Sequence, residues 1–225
     1  MKSKWIFLSY ILSDKLSGYG NGKRISINRT KQIKSGDTSN NSELSFPAHF
    51  GTHIDFPFHF SENGKTIENY NADYFVHSNI DIAEISVDEN DLLITEKHFI
   101  DHKFKTNATF LIIKTGICND RDKDNYWNNN PGPSPELATF LKNKMPSLKI
   151  IGLDTISLSS WKHREAGRVA HKEFLIENDL LIVEDMDLTT INSSAQILKL
   201  IIAPLRFEKA DGTPVTILAE IGNEN

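Results

Sequence analysis

Seven short apolar runs set the rhythm of the chain: Ile6–Leu12, Ile80–Val87, Ala108–Lys114, Leu148–Leu153, Leu180–Val183, Leu198–Ile202 and Val215–Ile221. They are of strand length and rich in Ile, Val and Phe, side chains that suit a pleated, half-buried surface. Helical spacing appears between them. Ser134 stands as an N-cap with Pro135 in the first turn, Leu137, Phe140 and Leu141 share one face, and Pro146 marks the stop. A second helix is expected over His171–Glu177 and a weaker one from Thr95. Strand, helix, strand, helix, strand over 108–184 predicts a mixed α/β fold. The Asp211-Gly212 turn before the last run adds an antiparallel feature. Residues 119–134, polar and rich in Asn and Pro, read as a loop facing substrate or a second subunit. The strand-like segments on either side lack a hydrophobic face of their own, so this loop is not a linker, and one domain over 1–225 is expected.

Composition narrows the function classes. Hydrophobic residues make up 39% and charged residues 24%, the balance of an ordinary globule. The net charge of -5 leaves no electrostatic footprint for a nucleic acid. Two lysines followed by Trp5–Leu12 resemble a secretory signal, but no small-residue cleavage site follows and Asp14 and Lys15 come next, so the run is read as the first buried strand. No apolar run nears the ~20 residues a membrane-spanning helix needs. The one cysteine, Cys118, permits neither an internal disulfide nor a Cys-based zinc site, which suits a reducing cytoplasm.

The chemistry concentrates in HFGTHIDFPFHF, His49 to Phe60. In an extended chain, His49, Gly51, His53, Asp55, Pro57 and His59 fall on one face, and Phe50, Thr52, Ile54, Phe56, Phe58 and Phe60 on the other. Gly51, Thr52, Ile54 and Pro57 oppose a helix. In a straight strand, residues four apart stand roughly 13 Å from each other at ~3.3 Å per residue, too far for easy sharing of one ion. Gly51 can take a turned conformation that brings His49 toward His53 and Asp55, and Pro57 is consistent with an edge strand and redirects His59. Two imidazoles and a carboxylate suit zinc first, with manganese or iron as alternatives, and leave positions open for water whose pKa a bound metal lowers. Burying three imidazoles and a carboxylate on one face without an ion to neutralise them would be costly. His77, His98, His102 and His163, each alone, are read as structural. There is no G-x-S-x-G nucleophile elbow, and Cys118 is read as a plain thiol.

The residues from His49 to His59 match H-x-G-T-H-x-D-x-P-x-H in full, and so resemble the cyclase-like metal-dependent hydrolases, the family of bacterial kynurenine formamidases and isatin hydrolases. LSYILSDKLSGYG, KTGI, YWNNNPGPSPELATFL and GLDTISL extend the resemblance through most of the chain. It implies a swivelling β/β/α fold with a mixed, partly barrel-like sheet, and one or two divalent ions. It also implies His49 and His53 as ligands of one metal, His171 of AHKEFL as ligand of a second at the opening of a helix, and Asp55 and Glu184 as bridges, with Asp185 a rival to Glu184. His59 becomes the proton donor and acceptor, a role suited to an imidazole of ordinary pKa ~6.5. Tyr19 is the nearest match to an aromatic, usually tryptophan, that lies against the substrate ring. The activity implied is hydrolysis of a small non-peptide amide, first an N-formyl aryl amine such as N-formylkynurenine. A cyclic amide or ester, or a polyketide-type cyclisation, is the alternative, and a metal-containing binding protein without turnover is the alternative of another class. A homodimer is expected, with residues 119–134 in its contact.

Overall fold

The computed structural model describes residues 3–222. The strands and helices begin with β1 (Ser3–Phe7), the exposed polar pair β2 (Ser26–Lys31) and β3 (Asn41–Ser45), β4 (His53–Asp55), β5 (Val76–His77), β6 (Ile80–Glu84), β7 (Leu93–Ile94) and β8 (Phe110–Lys114). The helix α1 (Asp124–Asn128), strand β9 (Gly132–Pro133), helix α2 (Glu136–Lys144), strand β10 (Ile150–Leu153) and helix α3 (Arg164–Lys172) follow. The chain closes with β11 (Leu181–Glu184), β12 (Ile197–Pro204) and β13 (Gly212–Gly222).

One mixed sheet carries the architecture, in the order β5, β12, β13, β4, β11, β10, β8, β6, with β1 added on β13. From β6 through β8 and β10 to β11 the strands run parallel, and from β11 through β4, β13 and β12 to β5 they run antiparallel. The two ends of this path, β5 and β6, are consecutive in the chain and separated only by Ser78 and Asn79, so the sheet curls back toward itself into a nearly closed barrel. Long β13 joins its halves, pairing through Gly212–Pro214 with β4 and through Leu218–Gly222 with β1. The parallel strands are buried on both faces: every residue of β8, β10 and β11 is inaccessible or nearly so, which is why these runs show no alternation in sequence. Leu137, Ala138 and Leu141 bury one face of α2 in the same core, beside α3 and the turn that follows it.

Several expectations need correction. Ile6–Leu12 does not form a buried strand: β1 pairs only with β13, its residues are largely exposed, and burial begins at Leu8. The helix expected over His171–Glu177 starts at Arg164, and Glu173–Glu177 is a wider π-type turn appended to it. Polar Arg164, Glu165 and Arg168, with Gly167 among them, hid its first two turns. Thr95 caps only a single 3₁₀ turn over Glu96–Phe99. Pro57 does not mark an edge, because β4 is paired on both sides and Pro57 lies two residues beyond it, opening a 3₁₀ turn. The loop 119–134 turns part of itself inward: Tyr126 is fully buried, its hydroxyl donating to Asp185 Oδ1 at 2.5 Å with the Asp154 carbonyl also near at 2.9 Å.

Candidate metal centre

The ladder itself assembles the first part of the site. His53 and Glu184 are direct cross-strand partners of β4 and β11, so their side chains emerge on the same face, and Asp55 lies two residues along on that face. His171, in the last turn of α3, points at the same place. Before β4 the chain turns at Gly51, whose φ of +67° is the left-handed region and where a Cβ would come within 2.4 Å of Leu12. That turn swings the His49 ring to 5.2 Å from the His53 ring, centroid to centroid. Space for it is left by Gly212 on β13, where a Cβ would stand 2.2 Å from the imidazole.

Backbone acceptors fix two tautomers. The Nδ1–H of His53 donates to the Gly51 carbonyl and that of His171 to the Gly167 carbonyl, both at 2.8 Å. Each Nε2 therefore presents its lone pair to carboxylate oxygens. His53 Nε2 lies 3.1 Å from Glu184 Oε2 and 3.5 Å from Asp55 Oδ1, and His171 Nε2 lies 3.3 Å from Glu184 Oε1 and 3.6 Å from Asp55 Oδ2. Lone pair facing lone pair in a buried place demands a cation between them, either a proton on each ring or a metal ion. Burial works against the charged imidazoles, yet Glu184 and Asp55 prevail and raise the pKa values of both His53 and His171. Burial likewise opposes the Glu184 carboxylate, but the two histidines hold it well below the usual range. Asp55 is also lowered: its burial and the Glu184 charge are outweighed by His49 and His53.

The residues fit a divalent ion. Asp55 Oδ2 is buried without a hydrogen-bond partner. His53, Asp55 and Glu184 offer ligand atoms within 4.8 Å of one another, and His49, Asp55 and His59 form a second such group sharing Asp55. Donors ~2.1 Å from one ion at tetrahedral or octahedral angles stand ~3.0–3.4 Å apart, close to the separations around Glu184 and Asp55.

His49 and His59 form the outer wall. His49 places Nδ1 on Asp55 Oδ1 at 2.8 Å and Nε2 on Asp211 Oδ2 at 3.0 Å, while His59 Nδ1 reaches the same Asp211 oxygen at 3.4 Å. The two rings stack at 4.0 Å. Burial alone would lower the His49 pKa, but Asp55 and Asp211 raise it to about 10. Phe60 stacks on His171 at 4.6 Å. Phe60 departs from the two-register pattern because the 3₁₀ turn Pro57–His59 ends the strand geometry; Phe50, Thr52, Ile54 and Phe56 keep their places in the core.

These groups lie in a cleft of about 300 Å³ whose walls include Tyr19, Phe60, Ile156, Arg164 and Arg168. Tyr19 sits edge-on to Trp161 at 5.2 Å. Asp185 turns away, held by Arg121 at 2.7 Å and by Tyr126, so of the two rival acids it is Glu184 that joins the cluster. Glu184 Oε1 also accepts the Leu158 N–H at 2.6 Å, which anchors it. The sequence reading missed Asp211, Arg164 and Arg168. A turn aspartate before Gly212 carries no signal that it will meet His49 and His59, and the arginines could have been found only by starting α3 earlier.

Three of the remaining histidines are tied up in local contacts outside the cleft. His77 packs against Thr109, His98 closes a cap with Thr95, and His102 pairs with Asp81 at 3.1 Å. Cys118 is buried, and its burial together with the nearby Asp154 charge pushes its pKa up to about 12, far from a thiolate nucleophile. Cys118→Ser is accordingly expected to keep kcat/KM within about three-fold of the parent, since the change falls outside the cleft. A fall of a hundredfold would place the thiol in the chemistry.

The fold and this cluster define an α/β protein with a buried carboxylate–imidazole centre suited to a divalent cation. The chain belongs to the Cyclase family, whose model, described as "Putative cyclase", matches residues 6–160. The kynurenine formamidases of Bacillus thuringiensis subsp. konkukian and Bacillus anthracis are each 26% identical to it over 216 residues, covering 95% of both chains. Among solved structures, isatin hydrolase A from Labrenzia aggregata superposes with a TM-score of 0.77 at 20% identity, covering 97% of this chain and 94% of that one. A potential metal-dependent hydrolase with cyclase activity superposes with a TM-score of 0.75 at 19% identity, covering 99% and 100%. Among the described residues, no helix is long and apolar enough to cross a membrane.

Proposed function

We propose that this chain is a divalent-metal-dependent hydrolase of small non-peptide amides, with N-formyl aryl amines as its first substrate class. The observation that carries the reading is the convergence of His53 and His171 Nε2 on Glu184 and Asp55, with one Asp55 oxygen unpartnered, at the base of an open cleft. The kynurenine formamidase relatives support the amide class over 95% of their length. Residues 1–225 act as one domain in this reading.

His49, His53, Asp55, His171 and Glu184 would hold one or two ions, with zinc first and manganese or iron as alternatives. His49 and His53 would serve one ion and His171 the second, with Asp55 and Glu184 between them. A bound ion supplies Lewis acidity at the substrate carbonyl and an acidified water. The chain supplies the rest. His59, at the cleft wall with Nδ1 toward Asp211, holds the proton that the leaving nitrogen requires. Asp211 orients both His59 and His49. Phe60 fixes the His171 ring and keeps water from that side, and Tyr19 offers its ring to an aryl group.

The chain is further read as a homodimer of the cytoplasm. Exposed Phe7, Ile11, Leu44 and Leu205 around a cavity of about 960 Å³ support an apolar contact face, alongside the exposed part of the 119–134 loop. Metal analysis of protein purified without added metal, followed by a screen of formyl anilides, cyclic amides and lactones, tests the function. Expected are at least one equivalent of zinc, manganese or iron, formate release from formyl anilides, and a dimer by light scattering of the same preparation. Stoichiometric metal with no turnover of any amide would favour a binding protein. Turnover of cyclic amides alone would move the assignment to ring opening of a cyclic amide, the reading that the isatin hydrolase neighbours favour.

A further inference from the structure

Residues 156–160 are all buried, yet they belong to no strand and no helix. Buried backbone outside a ladder must take its hydrogen bonds from elsewhere in the chain. Asn130 supplies three of them. Of the three consecutive asparagines at 128–130 only this one is buried, and its side chain reaches across to the segment. Its Nδ2 donates to the Ser159 carbonyl at 2.8 Å and to the Ser157 carbonyl at 3.3 Å, the latter shared with the Thr155 hydroxyl, while its Oδ1 accepts the Trp161 N–H at 3.1 Å. An amide, with two donors and an acceptor in one plane, matches that pattern. Two residues on, Gly132 allows the two backbones to touch: a Cβ there would stand 2.2 Å from the Leu158 carbonyl oxygen and 2.6 Å from the Ser160 nitrogen.

The clamped segment meets two of the candidate metal ligands. Leu158, between the two carbonyls that Asn130 holds, donates its N–H to Glu184 Oε1 at 2.6 Å, and Ser157 Oγ lies 3.4 Å from the same oxygen. Ser159 Oγ faces His171 Nδ1 at 3.4 Å, in space left by the missing side chain of Gly167. Asn130 itself does not line the cleft. Resting on the metal centre of the function proposed above, we infer that Asn130 is a positioning residue, which fixes the backbone at 157–161 so that the Leu158 N–H holds the Glu184 carboxylate in place to receive a divalent ion. The Asn- and Pro-rich loop thereby serves the centre from outside the cleft.

The test measures zinc affinity by competition with a chelator for the full-length parent, Asn130→Ala and Asn130→Asp, with circular dichroism to establish the folding of each metal-free protein. Alanine removes the whole clamp, whereas aspartate keeps an oxygen for the Trp161 N–H and removes the donors to the two carbonyls. Both variants are expected to bind zinc about 10- to 100-fold more weakly than the parent, the usual cost of losing a group that orients a metal ligand. A purely structural role predicts a different result: the melting temperatures of metal-free and zinc-loaded protein fall together, and the rise on adding zinc stays as in the parent. A positioning role shrinks that rise, because stabilisation by a bound ion follows its affinity. Parent-like zinc affinity in either folded variant, or loss of the folded spectrum in both, would overturn the inference; where one variant unfolds, the other decides. The zinc readout needs no substrate. Weakened zinc binding in the variants of a parent that turns over no amide upholds the role of Asn130 and removes only the hydrolase reading, whereas a parent that binds no zinc removes both.

Discussion

Asp55→Asn is expected to strip the centre of its ion and to lower kcat/KM by about 10³-fold or more. Lewis-acid stabilisation is worth several kcal/mol and each ~1.4 kcal/mol is tenfold in rate, so losing the ion sets that scale. The substitution changes one atom of a fully buried side chain. Asp55 is nonetheless the one carboxylate that touches His49, His53 and His171, at 2.8, 3.5 and 3.6 Å. An asparagine amide offers one acceptor where the carboxylate offers two, and its NH₂ would face lone pairs at a place built to receive a cation. Metal content by elemental analysis and formate release, with circular dichroism to confirm folding, check the result. A variant that keeps its full equivalent of metal and more than a tenth of the parent activity would show that Asp55 is not a ligand. Glu184→Gln should behave similarly, because Glu184 divides its two oxygens between His53 and His171.

His59→Ala should separate chemistry from metal binding. His59 contacts Asp211 and stacks on His49 but reaches neither Glu184 nor His171 with a polar atom, and it stands at the more open side of the cleft. Loss of a general acid costs typically ~10²–10⁴-fold in kcat, and that range is expected here with metal content unchanged. The leaving group supplies the sharper discrimination. Formyl amides of weakly basic anilines need less protonation at nitrogen, so the deficit should shrink as the aniline becomes more electron-poor. A uniform deficit across the series would assign His59 to positioning His49 through their stack. Asp211→Asn then serves as a companion: it leaves His59 in place but replaces the charged acceptor at 3.4 Å, shared with His49, by a neutral amide, and a deficit smaller than that of His59→Ala is expected.

Much of this site was legible in the residues themselves. The alternation from His49 to Phe60 separates the clustered polar side chains from the core through Phe56, and glycine at position 51 announces the turn that a straight strand could not make. The continuous apolar runs at β8, β10 and β11 announce strands buried on both faces. Local chemistry dictates these features, and local chemistry is what a sequence spells out.

Other features depended on distant neighbours. Whether β1 is buried was settled by the single strand beside it. The choice of Glu184 over Asp185 turned on a backbone reversal, φ +56° at Asp185, that hands the second acid to Arg121.

The sequence by itself determined the clustering of His49, His53, Asp55 and His59, the turn at Gly51 and the mixed α/β class, because side-chain periodicity and backbone sterics act over a few residues, whereas His171 and Glu184 were reached only through the family resemblance. Only the tertiary structure decided that Asp211, more than 150 residues away, anchors His49 and His59, and that α3 brings Arg164 to the rim beside His171 at the base. Those juxtapositions arise from strand order and helix packing, which no local pattern encodes.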